Sequence, residues 1–187
     1  LGCGDAHLTS QLLETVPAKS YTGVDLSGRA LAFAEKNISP RAGQCRLEQG
    51  DLAGFIAEST DTFDAILTGY SLHHLTTGAK QAFLRHARAR LRPGGRLVVY
   101  DIFRQPDESL ATYHGRYLAW IRRDWTQMSE REHDLIDRHI RHNDLPETVA
   151  DLLAMAQAAG FECSHKSAVD PAGDHVVIGL SKDARDL

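Results

Sequence analysis

Apolar positions along the chain follow two spacings that alternate with each other. Short apolar runs, which are typical of strands buried on both faces, occupy residues 21–25, 45–49, 63–67 and 96–101. Between them lie segments in which apolar residues recur every three or four positions, as expected for amphipathic helices, at about residues 6–16, 26–38 and 79–91. The alternation predicts an α/β fold with a doubly wound, mostly parallel sheet.

The pattern changes after the fourth of these runs. Residues 105–143 are polar, aromatic and rich in His and Arg at helical spacing, and we interpret them as a helical lid or insertion. Pro146, Glu147 and Thr148 then open a further helix, which Gly160 closes. Two strand patterns follow at residues 162–169 and 175–180, and the turn residues Asp170-Pro171-Ala172-Gly173 between them predict a hairpin.

A glycine-rich turn, Leu1-Gly2-Cys3-Gly4-Asp5-Ala6, opens the chain with no strand before it. In a doubly wound sheet a buried strand leads into such a turn. Without that strand the domain would lack apolar burial on the order of 10 kcal/mol, which is comparable with the whole stability of an ordinary domain. We therefore expect residues 1–187 to be a single domain that is truncated at its N-terminus and lacks its first strand.

Composition and charge narrow the class of protein. Of the 187 residues, 42% are hydrophobic and 25% are charged, which is typical of one globular domain. The cysteines Cys3, Cys45 and Cys163 lie too far apart to indicate a disulfide framework or a zinc knuckle, so we expect a cytoplasmic protein. No apolar run approaches the roughly 20 residues of a membrane span. A formal net charge of -4 and a pI near 6.2 disfavour nucleic acid as a partner.

The glycine-rich turn and the acid at the tip of the run 21–25 predict a ligand that carries a ribose. Glycines let the backbone come close to a bound molecule, and Asp25 is placed to accept hydrogen bonds from both ribose hydroxyls. A nicotinamide or flavin dinucleotide is the main alternative. Its G-x-G-x-x-G fingerprint would require Gly at position 7, where this chain has His7.

Five landmarks follow one another in an order that is typical of one family. They are Leu1-Gly2-Cys3-Gly4-Asp5-Ala6, Asp25, Gly50-Asp51-Leu52, Phe63-Asp64-Ala65-Ile66-Leu67 and Leu91-Arg92-Pro93-Gly94-Gly95. In this set the chain resembles the class I S-adenosylmethionine-dependent methyltransferases of the small-molecule type, firmly over residues 1–101 and more loosely at the terminal hairpin. The resemblance implies a Rossmann-like, seven-stranded sheet with an antiparallel last strand, and S-adenosyl-L-methionine as the cofactor.

The resemblance also implies cofactor-binding roles for seven residues. Gly2 and Gly4 would line the methionine part, and Asp25 would hold the ribose hydroxyls. The other four are Leu26, which would pack on the adenine, Asp51 and Leu52, which would bond to the adenine, and Thr68, which would sit beside the methionine moiety. Ala6 stands where the family's commonest third glycine would be.

Methyl transfer requires alignment of the nucleophile, the methyl carbon and the sulfur, and it needs a base when the acceptor is a hydroxyl or a protonated amine. His73 and His74 follow the strand pattern 63–67 by a few residues, near the reacting end of the cofactor, and they are the candidate catalytic bases. Further candidates in this role are Tyr70, Tyr113, His114 and His142.

The lid segment contains residues of the types that bind a metal ion or an anion. His133, His139 and His142 lie in it, and the last two are one helical turn apart. No third ligand stands at a diagnostic spacing from that pair, so the sequence predicts no metal site. A set of arginines in the same segment suggests an anionic acceptor, although mixed charge on an exposed helix explains them equally well. These arginines are Arg116, Arg122, Arg123, Arg131, Arg138 and Arg141.

Two motifs of nucleic-acid methyltransferases are missing. Gly69-Tyr70-Ser71-Leu72 stands where Asn-Pro-Pro-Tyr would hold a base amine, and no Cys lies between Cys45 and Cys163 to attack cytosine. We therefore predict an S-adenosylmethionine-dependent methyltransferase that acts on an O, N or C nucleophile of a small molecule, with residues 105–143 covering the acceptor. Two alternatives stay open, a non-catalytic cofactor-binding partner protein and a tRNA or modified-nucleoside methyltransferase.

Overall fold

The computed structural model of the chain describes residues 1–170 and 172–182. Within these residues helices and strands alternate, as the hydrophobic pattern predicts. Their bounds are α1 His7–Thr15, β1 Ala18–Asp25, α2 Gly28–Ile38, β2 Ala42–Gln49, α3 Leu52–Glu58, β3 Phe63–Gly69, a 3-10 helix Leu72–His74, α4 Thr77–Arg90, β4 Leu91–Ile102, α5 Leu110–Asp124, α6 Glu130–Asn143, α7 Val149–Ala158, β5 Glu162–Ala168 and β6 His175–Ser181. None of the helices described is long and apolar enough to cross a lipid bilayer.

The strands form two sheets on either side of the first residues of the chain. β1 and β2 pair in parallel, and the second sheet has the order β3-β4-β6-β5, with β6 antiparallel to both of its neighbours. The Leu1 amine donates to the Leu67 carbonyl at 2.7 Å, and the Cys3 N–H donates to the Val24 carbonyl at 3.0 Å. In the described part of the chain no strand lies between β1 and β3, which is where the sequence predicts the missing one. The doubly wound fold with an antiparallel last strand is confirmed.

The main core lies between the second sheet and helices α4 and α7. Its members are almost fully buried apolar side chains, among them Phe83, Leu84, Leu97, Leu152 and Ile178. A smaller core joins α2 to the first sheet through Ala34 and Ile38. Helices α2, α4 and α7 therefore cover faces of the two sheets, as in other α/β domains.

Helix α1 confirms the helix predicted at about residues 6–16, but most of the apolar residues at helical spacing are exposed. Leu8, Leu12 and Val16 are 62%, 43% and 58% exposed, whereas Leu13 packs on the smaller core and Ser10 is buried. Helical spacing shows that apolar side chains share a face, but it does not show what that face meets. No element among the described residues covers the face formed by Leu8, Leu12 and Val16.

Two local features differ from the sequence expectation. Residues 92–95, predicted as a turn before a strand, lie inside the bounds of β4, where Phe63 pairs with Leu91 and Ala65 with Arg96. The four residues 92–95 therefore bulge out opposite a single residue of β3. Helix α3 was not predicted, because its seven residues are too few to show a periodicity.

The predicted lid is helical and has an apolar cluster of its own. Helices α5 and α6 pack around Tyr113, Tyr117 and Ile140, and Ile102 at the end of β4 joins them. The predicted hairpin of β5 and β6 is also present. Of its turn residues, Pro171 lies outside the described residues, and the Asp170 carboxylate accepts the His175 N–H at 2.7 Å.

Arg116 ties the lid to the sheet. Its guanidinium donates to Glu108 at 2.8 and 2.9 Å and to Asp174 at 2.6 and 2.8 Å. The carboxylate side chains of both partners are only 7% exposed, while the Arg116 side chain is 35% exposed. The hydrogen bonds from Arg116 hold the pKa of Glu108 below its usual range. One cation on α5 thus pairs with two buried carboxylates, one before α5 and one before β6.

Replacing Arg116 with Gln should destabilise the fold by about 3 kcal/mol, because two buried carboxylates lose their cationic partner. This value lies at the lower end of the range for buried ion pairs, because the Arg116 side chain is partly exposed. Arg122→Gln is the matched control on the same helix, since its partners Glu130 and Asp134 are exposed, and it should change stability by less than about 0.5 kcal/mol. Urea unfolding of the three proteins measures both values. Equal losses in the two variants would contradict the anchoring role of Arg116.

Candidate functional site

Asp25 joins two loops at the carboxyl end of β1. One carboxylate oxygen accepts the Gly4 N–H at 2.7 Å, and the other accepts the Ser27 N–H at 2.9 Å. A carboxylate offers about four lone-pair directions, so these two bonds leave each oxygen able to accept a further one. The geometry therefore suits a ligand with two adjacent hydroxyl groups.

The glycine-rich turn runs directly over this carboxylate. Gly2, Gly4 and Ala6 have φ of 61°, 53° and 54°, in the left-handed region that favours glycine. A Cβ on Gly2 would lie 2.0 Å from the Ser71 Oγ, whereas a Cβ on Gly4 would meet nothing within 4 Å. Gly2 thus allows close packing against the residues after β3, and Gly4 borders open space next to Asp25.

The end of β2 lies beside the end of β1 and carries the residues predicted to contact adenine. The Gly50 N–H donates to the Asp25 carbonyl at 3.0 Å, which holds the two strand ends together. Asp51 caps α3 by accepting the Gly54 N–H at 2.7 Å with one carboxylate oxygen. The Leu52 N–H is the first of α3 and so has no acceptor within its helix.

Leu26 and Thr68 complete the predicted cofactor residues. Leu26 follows Asp25 with a side chain that is 70% exposed, so its apolar surface is available for packing. Thr68 in β3 is 3% exposed, and its Oγ1 has no hydrogen-bond partner among the described residues. An unpaired buried hydroxyl, an open space at Gly4 and the remaining acceptor directions of Asp25 fit a polar ligand with a ribose. The residues present therefore fit S-adenosylmethionine.

A cluster of aromatic side chains and one histidine follows β3. Tyr70 comes directly after β3 with φ 50°, which is uncommon for a non-glycine residue and often marks a functional position. Its hydroxyl lies 2.5 Å from the Tyr100 hydroxyl and 2.8 Å from His175 Nδ1. The Tyr117 hydroxyl lies 3.4 Å from His175 Nε2, and Trp120 stacks on Tyr117. We call these five residues the Tyr70 cluster.

Tyr70 and Tyr117 of the cluster stay protonated near neutral pH. Partial burial raises the pKa of Tyr70 well above its usual value, and the hydrogen bond with Tyr100 adds to this effect. Burial also raises the pKa of Tyr117 to about 12. Both hydroxyls can therefore donate or relay a proton, but they do not act as anionic bases.

The sequence identified Tyr70 as a further catalytic candidate, but it did not identify Tyr100 or His175. His175 is the first residue of β6, and Tyr100 pairs with Val177 across the β4–β6 ladder. Side chains two positions apart on paired strands share a face, which brings His175 close to Tyr100. Only the strand register reveals this proximity, because the two residues are far apart along the chain.

His73 and His74, the candidate bases, face a different part of the structure. His73 is 6% exposed, and its Nδ1 lies 2.5 Å from an Asp101 carboxylate oxygen. His74 Nδ1 lies 3.4 Å from the Asp144 carboxylate, and this close contact with Asp144 raises the pKa of His74. Successive side chains of a strand point to opposite faces, so Asp101 and Tyr100 lie on opposite sides of β4. The two histidines are therefore separated by β4 from the Tyr70 cluster.

The other catalytic candidates have structural partners. Tyr113 is fully buried and stacks on Tyr117. His114 Nε2 lies 3.0 Å from the Asp144 carbonyl, and His142 Nδ1 lies 2.7 Å from the Arg138 carbonyl on the exposed face of α6.

Comparisons with known proteins agree with this geometry. The sequence model of a family described as a methyltransferase domain matches residues 1–97. A demethylmenaquinone methyltransferase of Tropheryma whipplei is 36% identical over 123 residues, which are 65% of this chain and 47% of that protein. A malonyl-[acyl-carrier protein] O-methyltransferase of Halalkalibacterium halodurans is 31% identical over 105 residues, which are 55% of this chain and 37% of that protein.

Solved structures add a likeness of fold. The magnesium protoporphyrin IX methyltransferase of Synechocystis, crystallised with bound SAH, superposes with a TM-score of 0.65 at 14% identity. The match covers 97% of this chain and 72% of that structure. The chain spans less than half the length of the two curated relatives above.

Asp25→Ala should weaken binding of S-adenosylmethionine by at least about 100-fold, because each hydrogen bond to a charged group contributes about 1.5 to 3 kcal/mol and two are lost. Calorimetric titration measures the change. Asp64→Ala is the control, since that carboxylate is 84% exposed and pairs only with Arg92 among the described residues. Unchanged affinity in Asp25→Ala, with folding verified by circular dichroism, would contradict the ribose role.

Proposed function

The chain belongs to the methyltransferase domain family, and from this premise we propose that it transfers a methyl group from S-adenosylmethionine to an O, N or C nucleophile of a small molecule. The observation that carries the proposal is the pair of bonds from Gly4 and Ser27 to Asp25. These bonds fix an acceptor carboxylate under an open glycine turn. Such a site recognises a ribose without needing a pyrophosphate cradle.

The cofactor supplies a methyl group on a sulfonium, which is already an activated leaving group. The chain then contributes binding and alignment. Asp25 holds the ribose hydroxyls, Gly4 leaves room for the methionine part, and the Thr68 hydroxyl offers that part a partner. Leu26 packs against the adenine, while Asp51 and the Leu52 N–H bond to its edge.

The acceptor binds, in this proposal, against the Tyr70 cluster. Tyr70 lies one residue before Ser71, and Ser71 is the residue that Gly2 approaches closely. The cluster therefore begins next to the residue that packs on the glycine turn. Its rings offer flat apolar surface with polar tips, which favours a planar conjugated acceptor. The relative named for demethylmenaquinone supports an acceptor of this kind.

His175 serves as the base when the acceptor atom carries a proton. Tyr70 is 43% exposed and its hydroxyl lies 2.8 Å from His175 Nδ1, so it can pass the acceptor's proton to the imidazole while the methyl group is transferred. The raised pKa of Tyr70 fits a relay and not a stored anion. A base role for His73 or His74 stays a prediction, and their position across β4 favours His175.

The lid covers the acceptor in this proposal. Helices α5 and α6 pack at the end of β4, beside the Tyr70 cluster. Four of the six lid arginines form ion pairs with carboxylates, namely Arg116, Arg122, Arg123 and Arg141. Among the described residues Arg131 and Arg138 have no such pair, so a preference for an anionic acceptor would depend on these two.

Cys3, Cys45 and Cys163 carry free thiols, which supports a reducing, cytoplasmic setting.

Methyl transfer to a panel of hydroxylated aromatic compounds and hydroquinones tests the proposal. With methyl-labelled S-adenosylmethionine, label should appear in at least one compound, and Tyr70→Phe and His175→Ala should each lower kcat about 100-fold with little change in cofactor affinity. His165→Ala on the exposed face of β5 is the control. Cofactor binding without transfer to any compound would favour the non-catalytic partner protein. Transfer that is unaffected by either variant would remove the Tyr70 cluster from the mechanism.

A further inference from the structure

A buried carboxylate oxygen lies among three imidazole nitrogens where α6 ends. The Asp144 Oδ1 is 3.4 Å from His74 Nδ1, 3.8 Å from His73 Nε2 and 3.9 Å from His139 Nε2. The Asp144 side chain is 4% exposed, and this oxygen has no hydrogen-bond partner among the described residues. Leaving a buried charged oxygen without a partner is unfavourable. The arrangement therefore indicates that something else satisfies it.

We propose that His73, His74, His139 and Asp144 bind a divalent first-row transition ion, with Zn²⁺ as its representative. Ligand atoms of His73, His74 and Asp144 lie within 4.8 Å of one another. A tetrahedral zinc site with bonds near 2.1 Å places its ligand atoms roughly 3.4 Å apart. The distances from Asp144 Oδ1 to the three imidazole nitrogens, 3.4, 3.8 and 3.9 Å, lie close to this value. Imidazole and carboxylate are also the ligands that this class of ion prefers.

Asp101 orients His73 for this role. One Asp101 oxygen lies 2.5 Å from His73 Nδ1, and the other accepts the N–H groups of Leu72 and His73 at 2.9 and 3.2 Å. A carboxylate on one ring nitrogen fixes the tautomer that leaves the other nitrogen unprotonated, as is usual behind metal-binding histidines. His73 Nε2, which lies 3.8 Å from Asp144 Oδ1, then has a free lone pair with which to coordinate the ion.

The backbone holds Asp144 in place independently of any ion. The Leu145 N–H donates to the His73 carbonyl at 2.7 Å, and His114 Nε2 lies 3.0 Å from the Asp144 carbonyl. The site is thus built from a segment that is already docked on the 3-10 helix. His74 and His139 have 38% and 59% exposed side chains, so an ion can enter from solvent.

The ion would join the lid to the core. His139 belongs to α6 and Asp144 follows it, whereas His73 and His74 belong to the 3-10 helix after β3. A bound ion therefore connects the last turn of the lid to the loop that leads away from the Tyr70 cluster. A salt bridge of protonated His74 with Asp144 is the alternative, but it leaves the nearby nitrogens of His73 and His139 without a role.

Metal titration of the full chain tests the site without reference to methyl transfer. After treatment with a chelator, the protein should bind one Zn²⁺, and Co²⁺ should give the visible absorption of a tetrahedral complex. His74→Ala, His139→Ala and Asp144→Asn should each bind Zn²⁺ at least about 10- to 100-fold more weakly, since even second-shell changes have effects of this size. Zn²⁺ should also raise Tm in the wild-type chain but not in these variants.

His142→Ala is the matched control, because His142 is an exposed histidine of the same helix bonded to the Arg138 carbonyl. It should bind Zn²⁺ like the wild type. Equal Zn²⁺ affinity in His142→Ala and His74→Ala, or no saturable binding by the wild-type chain, would overturn the site. His74 and His139 are exposed, so their variants remain informative even where a change at buried His73 prevents folding.

Discussion

The bond from the Gly4 N–H to the Asp25 carboxylate is the interaction on which the cofactor cleft depends. It closes the opening turn over the end of β1, while the Ser27 N–H ties the start of α2 to the other oxygen of the same carboxylate. Two loops thus converge on one side chain. The left-handed backbone of Gly2 and Gly4 makes this convergence possible, since other residues adopt it at a cost of about 1 kcal/mol or more.

At the carboxyl end of β4, successive side chains point to opposite faces of the strand, and this separates the Tyr70 cluster from the surroundings of His73. Tyr100 faces the Tyr70 cluster and the aromatic residues of α5, whereas Asp101 faces His73 and the segment after α6. Adjacent side chains of a strand cannot share a face. The proposed acceptor site and the proposed ion site are therefore neighbours along one strand without sharing a residue. The lid contacts both, through α5 on one side and through His139 and Asp144 on the other.

The sequence predicts local structure well where a pattern reflects local geometry. The helical spacing of Leu31, Ala34 and Ile38 gives α2 and its buried face correctly, because the sheet beneath it is formed by its own flanking strands. The same spacing at Leu8, Leu12 and Val16 gives α1 but not its environment. Periodicity reports which side chains share a face, and the partner of that face depends on distant parts of the chain.

Some residues of the candidate site could likewise be predicted from the sequence, and others could not. Asp25 and the glycine turn could be predicted, because their positions follow from the strand-turn-helix order alone. The clustering of His175 with Tyr70 and of His139 with His74 could not, since it depends on strand register and on how the lid docks. The expectation of no metal site relied on spacing within the lid, and such spacing does not reveal the proposed ligand set, which joins the 3-10 helix to the end of α6.

A crystal structure of the protein grown with S-adenosylhomocysteine tests the central claim most directly. Both ribose hydroxyls should lie within hydrogen-bonding distance of the Asp25 carboxylate, with the Gly4 N–H still donating to it. A ribose bound elsewhere, or an Asp25 side chain turned away from the ligand, would contradict the account.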